Sequence, residues 1–175
     1  LIDGEAPGKR SHSLVSYLPD RSCLPQWMTA AQLLDFYRDF YPDFREDAAK
    51  EMLSRLEIPE KRRMKQLSKG TREKVQLIMV MSRAAKLYLL DEPEAALSPS
   101  RLLTLLCEMR RLVERDSQFL IATHSPILMA YPGARLYQLG ETGVHAVDYR
   151  ETEHYQLTKR FLEDPERMLH YLLMG

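Results

Sequence analysis

The chain has 175 residues, 45% of them apolar and 29% charged, and its 25 Lys and Arg balance 25 Asp and Glu. That is enough for one domain with a real core, and it offers no overall attraction to nucleic acid or anionic lipid beyond what a local basic patch could supply. No apolar run approaches the ~18 residues of a bilayer span, the N-terminus lacks the apolar stretch of a signal peptide, and Cys23 and Cys107, far apart and matching no metal spacing, read as reduced cytosolic thiols.

Residues 4–11, GEAPGKRS, are turn-like, and SLVSYL at 13–18 reads as a short strand stopped by Pro19. Thr29 is placed to cap a helix with Leu33, Phe36, Tyr37, Phe40 and Tyr41 at helical spacing, ended by Pro42. A second helix presents Ala49, Met52, Leu53 and Leu56 before Pro59 closes it. The basic run KRRMKQ at 61–66 reads either as a solvated linker or as a partner contact. From about 71 to 85 a helix carries Val75, Ile78, Met79 and Met81 and should be mostly buried. KLYLLD at 86–91 is a continuous apolar run, the pattern of a strand buried on both faces.

Ser98-Pro99 gives an N-cap with Pro at N1, opening a helix whose stripe is Leu102, Leu105, Leu106, Met109, Leu112 and Val113. QFLIAT at 118–123 reads as the next buried strand. ARLYQL and GVHAVDY, with residues 141–143 between them, read as a hairpin. Thr152 caps a helix to about Leu162, and Asp164-Pro165 caps the last one, with Met168, Leu169 and Leu172 inward.

Strand and helix alternate, which predicts an α/β fold with a mainly parallel sheet flanked by helices on both faces and a small helical subdomain. The expected organisation is one domain: a helical subdomain over about 27–70, a core over about 12–20 and 86–148, and C-terminal helices over 152–173. In such sheets chemistry gathers at the carboxyl ends of strands. Asp91 and His124 each stand just past the end of a predicted strand, which places them side by side if the strands adjoin. An Asp-Glu pair there suits a divalent cation on Asp91 and a water polarised by Glu92. Ser68-Lys69-Gly70-Thr71 opens a helix, where backbone N–H groups favour an anion.

LSKGTREK, LYLLDEP and ATHS, in that order and spacing, resemble the signature, Walker B and switch-histidine motifs of ATP-binding-cassette (ABC) ATPases. Residues 12–93 resemble a bacterial ABC transporter nucleotide-binding subunit. Residues 91–175 resemble a non-transport ABC-class ATPase of the SMC/RecF-like group, so the chain reads either as a recombined or engineered chimera joined at the Walker B strand or as a divergent natural relative. The resemblance implies ATP and Mg²⁺ as cofactors. It implies Ser68, Lys69, Gly70 and Thr71 facing the γ-phosphate of ATP held mainly by another subunit, Asp91 on Mg²⁺, Glu92 as general base and His124 as the switch residue. Ala96-Leu97-Ser98 falls in the D-loop, and Asp20 stands where the family has its Q-loop glutamine, so that an acid could meet the metal there.

No G-x-x-x-x-G-K-[ST] occurs in these residues; GEAPGKR at 4–10 is the nearest imitation, with three residues between its glycines and Arg10 where Ser or Thr belongs. The sequence therefore reads as beginning after the Walker A segment, with weak unaided ATP binding expected. In the family sheet the strand leading into that segment lies beside the strand ending at His124 and next to the one matching ARLYQL. Its omission leaves either an open edge or two newly paired strands. Implied partners are a second copy or an intact ABC-type subunit, with membrane contact only through a partner permease and a location in the cytoplasm or peripheral to the inner membrane. Nucleic acid is not an expected partner. The alternatives to an ATPase are a non-catalytic or engineered self-associating scaffold and a DNA-associated SMC/RecF-like ATPase.

Overall fold

A computed structural model describes residues 1–2, 4, 6–95, 97–141 and 143–174. The chain resolves into two compact units, Leu1–Thr123 and His124–Gly175.

The first unit runs α1 (Lys9–Ser13), β1 (Val15–Leu18), α2 (Ala30–Phe40), α3 (Glu46–Arg55), a 3-10 turn (Met64–Gln66), α4 (Lys69–Met81), β2 (Leu87–Asp91), α5 (Pro99–Val113) and β3 (Gln118–Ala122). Its strands form one parallel sheet in the order β1-β2-β3. The cap expected at Thr29 is a full capping box: Thr29 Oγ1 accepts from the Gln32 N–H at 3.2 Å, and Gln32 Oε1 accepts from the Thr29 N–H at 3.0 Å. Pro99 takes N1 of α5 behind Ser98, as its sequence requires. α1 is a departure, since a short helix stands within the stretch read as turn. Ser11 Oγ explains it, accepting from the Gly8 N–H at 2.8 Å and donating to the Gly8 carbonyl at 2.9 Å.

The helical part of this unit packs on α4. Leu33 and Leu34 of α2, Leu53 of α3, Met64, and Val75 and Met79 of α4 are all buried in one cluster. Met64 is the apolar member of the basic run at 61–66 and is fully buried, while its charged neighbours face water. Phe36 and Phe40, read from their spacing as part of the buried face of α2, are instead exposed and stack on each other at 4.4 Å. Leu34 takes the inward place, which rotates the buried stripe away from the pair.

β2 differs from the reading of a strand buried on both faces. Tyr88 and Leu90 are buried, while Leu87, Leu89 and Asp91 are only partly covered. The cause is topological. Parallel crossovers are right-handed, and β1-β2-β3 advances across the sheet in one direction, so the segments carrying α4 and α5 fall on the same face. That face carries Ser16, Leu18, Tyr88, Leu90, Phe119 and Ile121, and Ser16 Oγ donates to the Val80 carbonyl of α4 at 2.9 Å. The opposite face holds the row Tyr17, Leu89 and Leu120, in which Tyr17 and Leu120 are 57% and 65% exposed. The apolar run was correctly a strand, but its two-sided burial requires helices from a crossover in the other direction.

Arg83 ties this unit together. It is 3% exposed. Its guanidinium grips Asp43 through two bonds of 3.1 and 3.0 Å and donates to the carbonyls of Val15 and Ser13 at 2.6 Å each. It also lies 4.1 Å from the centre of the Tyr41 ring. The Tyr88 hydroxyl donates to the Arg83 carbonyl and the ring stacks on Phe119 at 4.7 Å. Burial pushes the Tyr88 pKa up, which keeps it a donor.

The second unit runs α6 (Pro126–Met129), β4 (Leu136–Gly140), β5 (Gly143–Val147), a 3-10 turn (Tyr149–Glu151), α7 (Glu153–Glu163) and α8 (Pro165–Met174). β4 and β5 form the expected hairpin, antiparallel, with Gly140 opposite Gly143; Thr142 of its loop lies outside the described residues. β4 pairs with β5 in a separate sheet, and β3 has a ladder partner only in β2 among the described residues. Asp164 caps α8, its Oδ1 accepting from the Arg167 N–H at 3.0 Å. Leu169 and Leu172, read as inward, are 41% and 68% exposed, and α8 buries none of its side chains.

Because Asp43 would keep its charge beside carbonyls that had lost their donor, Arg83→Ala should lower the unfolding free energy by about 3–5 kcal/mol. Urea unfolding of the two chains measures this, and a loss below about 1 kcal/mol, the scale of a surface pair, would show that Arg83 is not the tie described.

Candidate active site: an acid cleft at the strand ends

The register Leu18↔Leu90 brings the chain out of β1 beside the end of β2. Asp20 therefore leaves one strand next to Asp91 and Glu92 leaving the other. Together with Leu18, Pro19, Ser22, Pro93 and Ala95, and with Glu73, Gln76 and Leu77 of α4, these acids line one cleft of about 20 Å³. That volume suits a water-sized guest and is far too small for a nucleoside triphosphate. Four carboxylates line it and no Lys or Arg does. The cleft thus borders acids without a compensating cation, although most of the surface that faces it is apolar.

No group of three His, Cys, Asp or Glu among the described residues converges as a ready-made metal cage. Asp91 and Asp20, the two acids expected to serve a metal, both border the cleft.

Glu73 and Gln76 are members of the cleft that the sequence reading missed. Gln76 is 2% exposed, and its Oε1 accepts from the Cys23 N–H at 3.0 Å, pinning the loop after β1 to α4. Its signal was present: it is the one polar residue in the wholly buried stretch 75–81.

Glu92 has φ +44°, in the left-handed region that side chains rarely adopt. The position is held because its N–H continues the ladder to the Ala122 carbonyl at 3.0 Å, while its own carbonyl accepts from the Ala95 N–H at 3.0 Å. The strand thus ends in a tight, strained turn that fixes where the Glu92 side chain begins. Thr123 Oγ1 donates to Glu94 Oε1, tying the end of β3 to the same turn.

β2 and β3 adjoin in parallel, Asp91 pairing with Ala122, as the placement of Asp91 required. His124 follows Ala122 by two residues and opens the second unit. There its Nδ1 lies 3.2 Å from His154 Nε2. Ser68 caps α4, its Oγ accepting from the Thr71 N–H at 3.2 Å and lying 2.8 Å from Thr71 Oγ1. Lys69 Nζ lies 3.7 Å from Glu73. Gly70 has nothing within 4 Å of where a Cβ would stand, so the chain's own packing does not demand a glycine there. Ser68, Lys69, Gly70 and Thr71 do not line the acid cleft; Gly70 sits six residues before Gln76, about 9 Å along the same helix. Of the D-loop residues, Ala96 lies outside the described residues, Leu97 is half-buried and Ser98 is exposed at the start of α5.

Comparison with known proteins bears on this arrangement. The family described as "AAA domain, putative AbiEii toxin, Type IV TA system" matches residues 27–130, running unbroken across the β2 strand at which the two resemblances meet. The chain belongs to that family, within the ABC class of ATPases. It is 32% identical over 111 residues to the ABC transporter ATP-binding protein YtrB of Bacillus subtilis, covering 63% of this chain and 38% of that protein. Among solved structures it resembles one described as the ATP-binding subunit of an ABC transporter, with a TM-score of 0.62 at 23% identity over 70% of this chain and 55% of that one. It also resembles a chain in a ribosome-bound archaeal Pelota and ABCE1 assembly, with a TM-score of 0.60 at 24% identity, covering 86% of this chain and 26% of that one. The last two likenesses establish the ABC ATPase fold. The chain spans less than two thirds of each of these relatives. No helix among the described residues is long and apolar enough to cross a membrane.

The strain at Glu92 has a direct readout. Glu92→Gly and Glu92→Ala both remove the side chain, but only Gly accepts the left-handed backbone freely. Glu92→Gly should therefore be the more stable of the two by about 1 kcal/mol, the reverse of their order inside a helix; thermal or urea unfolding of the pair measures it.

Proposed function

We propose that this chain supplies the metal-and-base part of an ABC-type ATP hydrolysis site. The observation that carries this reading is the shared cleft of Asp20, Glu73, Asp91 and Glu92, small, anionic and set at the carboxyl ends of two parallel strands. Asp91 would hold Mg²⁺, with Asp20, at the end of β1, as a second acid bordering the same cleft. When bound, the ion neutralises phosphate charge that these carboxylates would otherwise repel.

Glu92 accepts the proton of the attacking water. Its backbone is fixed by the ladder bond to Ala122, so the carboxylate has little freedom to lose when it orients that water. His124 contacts the γ-phosphate, in the role its motif carries in the family. Ser68, Lys69, Gly70 and Thr71 serve a nucleotide held mainly on a second subunit, either another copy or an intact ABC-type partner. The open space at Gly70, in the first turn of α4, suits a phosphate approaching from outside the chain. α4 then links the two half-sites, with the signature at its start and Glu73 and Gln76 facing the acid cleft.

Without a P-loop in these residues the chain should hold ATP weakly and turn it over slowly. A scaffold reading draws on that same feature and on the exposed Tyr17 and Leu120 face. Hydrolysis measured at saturating Mg·ATP separates the two. The hydrolysis reading expects Mg²⁺-dependent turnover that Glu92→Gln lowers by about 100-fold, the scale of a lost general base. Equal rates for both chains would favour the scaffold.

A further inference from the structure

Gln76 is the only amide side chain lining the acid cleft, and one end of it is unpartnered. It lies on α4, 2% exposed, and borders the cleft together with Asp20, Glu73, Asp91 and Glu92. Its Oε1 accepts from the Cys23 N–H at 3.0 Å. A backbone N–H can only donate, so this bond fixes which end of the amide is oxygen and which is nitrogen. The Nε2 end carries two N–H donors, and no acceptor meets them among the described residues. Nε2 is not one of the side-chain atoms sealed off from open space without a partner, and the open space that Gln76 borders is the cleft.

A buried N–H without an acceptor is costly, and native structures answer it with a protein group or an ordered water. The cleft volume of about 20 Å³ exceeds the roughly 10–15 Å³ that one water needs and leaves no room for a larger guest. Most of its surface is apolar, so a water there depends on the few polar groups at hand. It needs a donor to its oxygen and an acceptor for its proton. The four carboxylates are the acceptors. With no Lys or Arg in the lining, the side-chain donors are Gln76 and the Ser22 hydroxyl, and of these only Gln76 is buried.

We propose that the cleft binds one ordered water, whose oxygen accepts from Gln76 Nε2–H and whose own O–H donates to a carboxylate of the cleft. The site itself stands on the unpartnered amide and the size of the cleft. Its role rests on the hydrolysis reading above: the bound water is the attacking one, and Glu92 takes its proton. As the water oxygen bonds to phosphorus, that proton passes to Glu92 and the bond to the leaving ADP oxygen breaks. Gln76 directs the water because it is itself held twice, by the wholly buried stretch 75–81 of α4 and by the bond to the loop after β1. The donor therefore has little freedom to lose when the water binds.

Two measurements test this. A crystal structure of the nucleotide-free chain should show a water within about 3.2 Å of Gln76 Nε2. A dry cleft, or a direct bond from Nε2 to a protein oxygen, overturns the site whatever the chain does with ATP, and this measurement needs no variant. The second is a double-mutant cycle on Mg·ATP turnover. Gln76→Met keeps the length of the side chain and removes its donors. It should lower kcat by about tenfold in the wild-type chain, the scale of a misplaced group. In the Glu92→Gln chain it should cost less than about twofold, because two groups that act on one water lose their effects together. A role confined to holding the loop would multiply in both chains. An equal fall in both, or no fall in the wild-type chain, therefore contradicts the role given to the water. Glu92→Gln turning over ATP as fast as the wild type would instead remove the hydrolysis reading and leave the crystal structure to decide the site.

Discussion

A buried guanidinium sets the geometry of the first unit. Arg83 follows α4 by two residues and satisfies its donors on two separate pieces of chain: Asp43 in the loop between α2 and α3, and the carbonyls of Ser13 and Val15 where α1 gives way to β1. Taking a charge out of water is costly unless every donor finds a partner, so the arrangement admits little slack. Neighbouring bonds run the same way, with the Arg45 N–H donating to the Ser82 carbonyl at 2.8 Å and the Ala84 N–H to the Asp43 carbonyl at 2.9 Å. The consequence reaches the acid cleft. β1 delivers Asp20, α4 delivers Glu73 and Gln76, and Arg83 fixes one relative to the other.

The sheet supplies the second constraint. Three parallel strands advancing in one direction place their crossovers on one face and leave the other to be covered by something else. The exposed row of Tyr17 and Leu120 is that uncovered face, and the single ladder partner of β3 among the described residues is the matching edge. Neither disturbs the cleft, which depends on the pairings of β1 with β2 and of β2 with β3. The strained turn at Glu92 is held from the β3 side by the Ala122 carbonyl. The acid pair is thus rigid where its backbone meets the sheet.

Much of this was legible in the sequence because it is local. The capping box at Thr29, the Ser98-Pro99 helix start, the cap at Thr152 and the parallel strands ending at Asp91 and Ala122 follow from patterns a few residues long. What escaped depends mostly on distant partners, with α1 a local exception. α1 forms because Ser11 and Gly8 exchange two bonds in a stretch whose glycines and proline signal a turn. The alternating burial of β2 comes from sheet topology, which an apolar run does not encode. Leu169 and Leu172 sit on an amphipathic stripe, and periodicity alone cannot say whether anything packs on it. Asp91 and Glu92 were found from their place at a strand end and Asp20 from the family resemblance, whereas Arg83, Gln76 and His154 act through contacts thirty or more residues away in sequence and carry no motif. A buried Gln in an apolar helix was a usable clue; for His154 there was none.

The central claim is that a divalent cation sits between the ends of β1 and β2. Mn²⁺ can stand in for Mg²⁺ as a hard, oxygen-seeking ion, and its paramagnetism broadens the resonances of nearby nuclei. Titrating Mn·ATP into the ¹⁵N-labelled chain should first erase the amide signals of Asp20, Asp91 and Glu92, with Asp91→Asn abolishing that selectivity. Broadening centred elsewhere, or unchanged in the Asp91→Asn chain, would contradict the account.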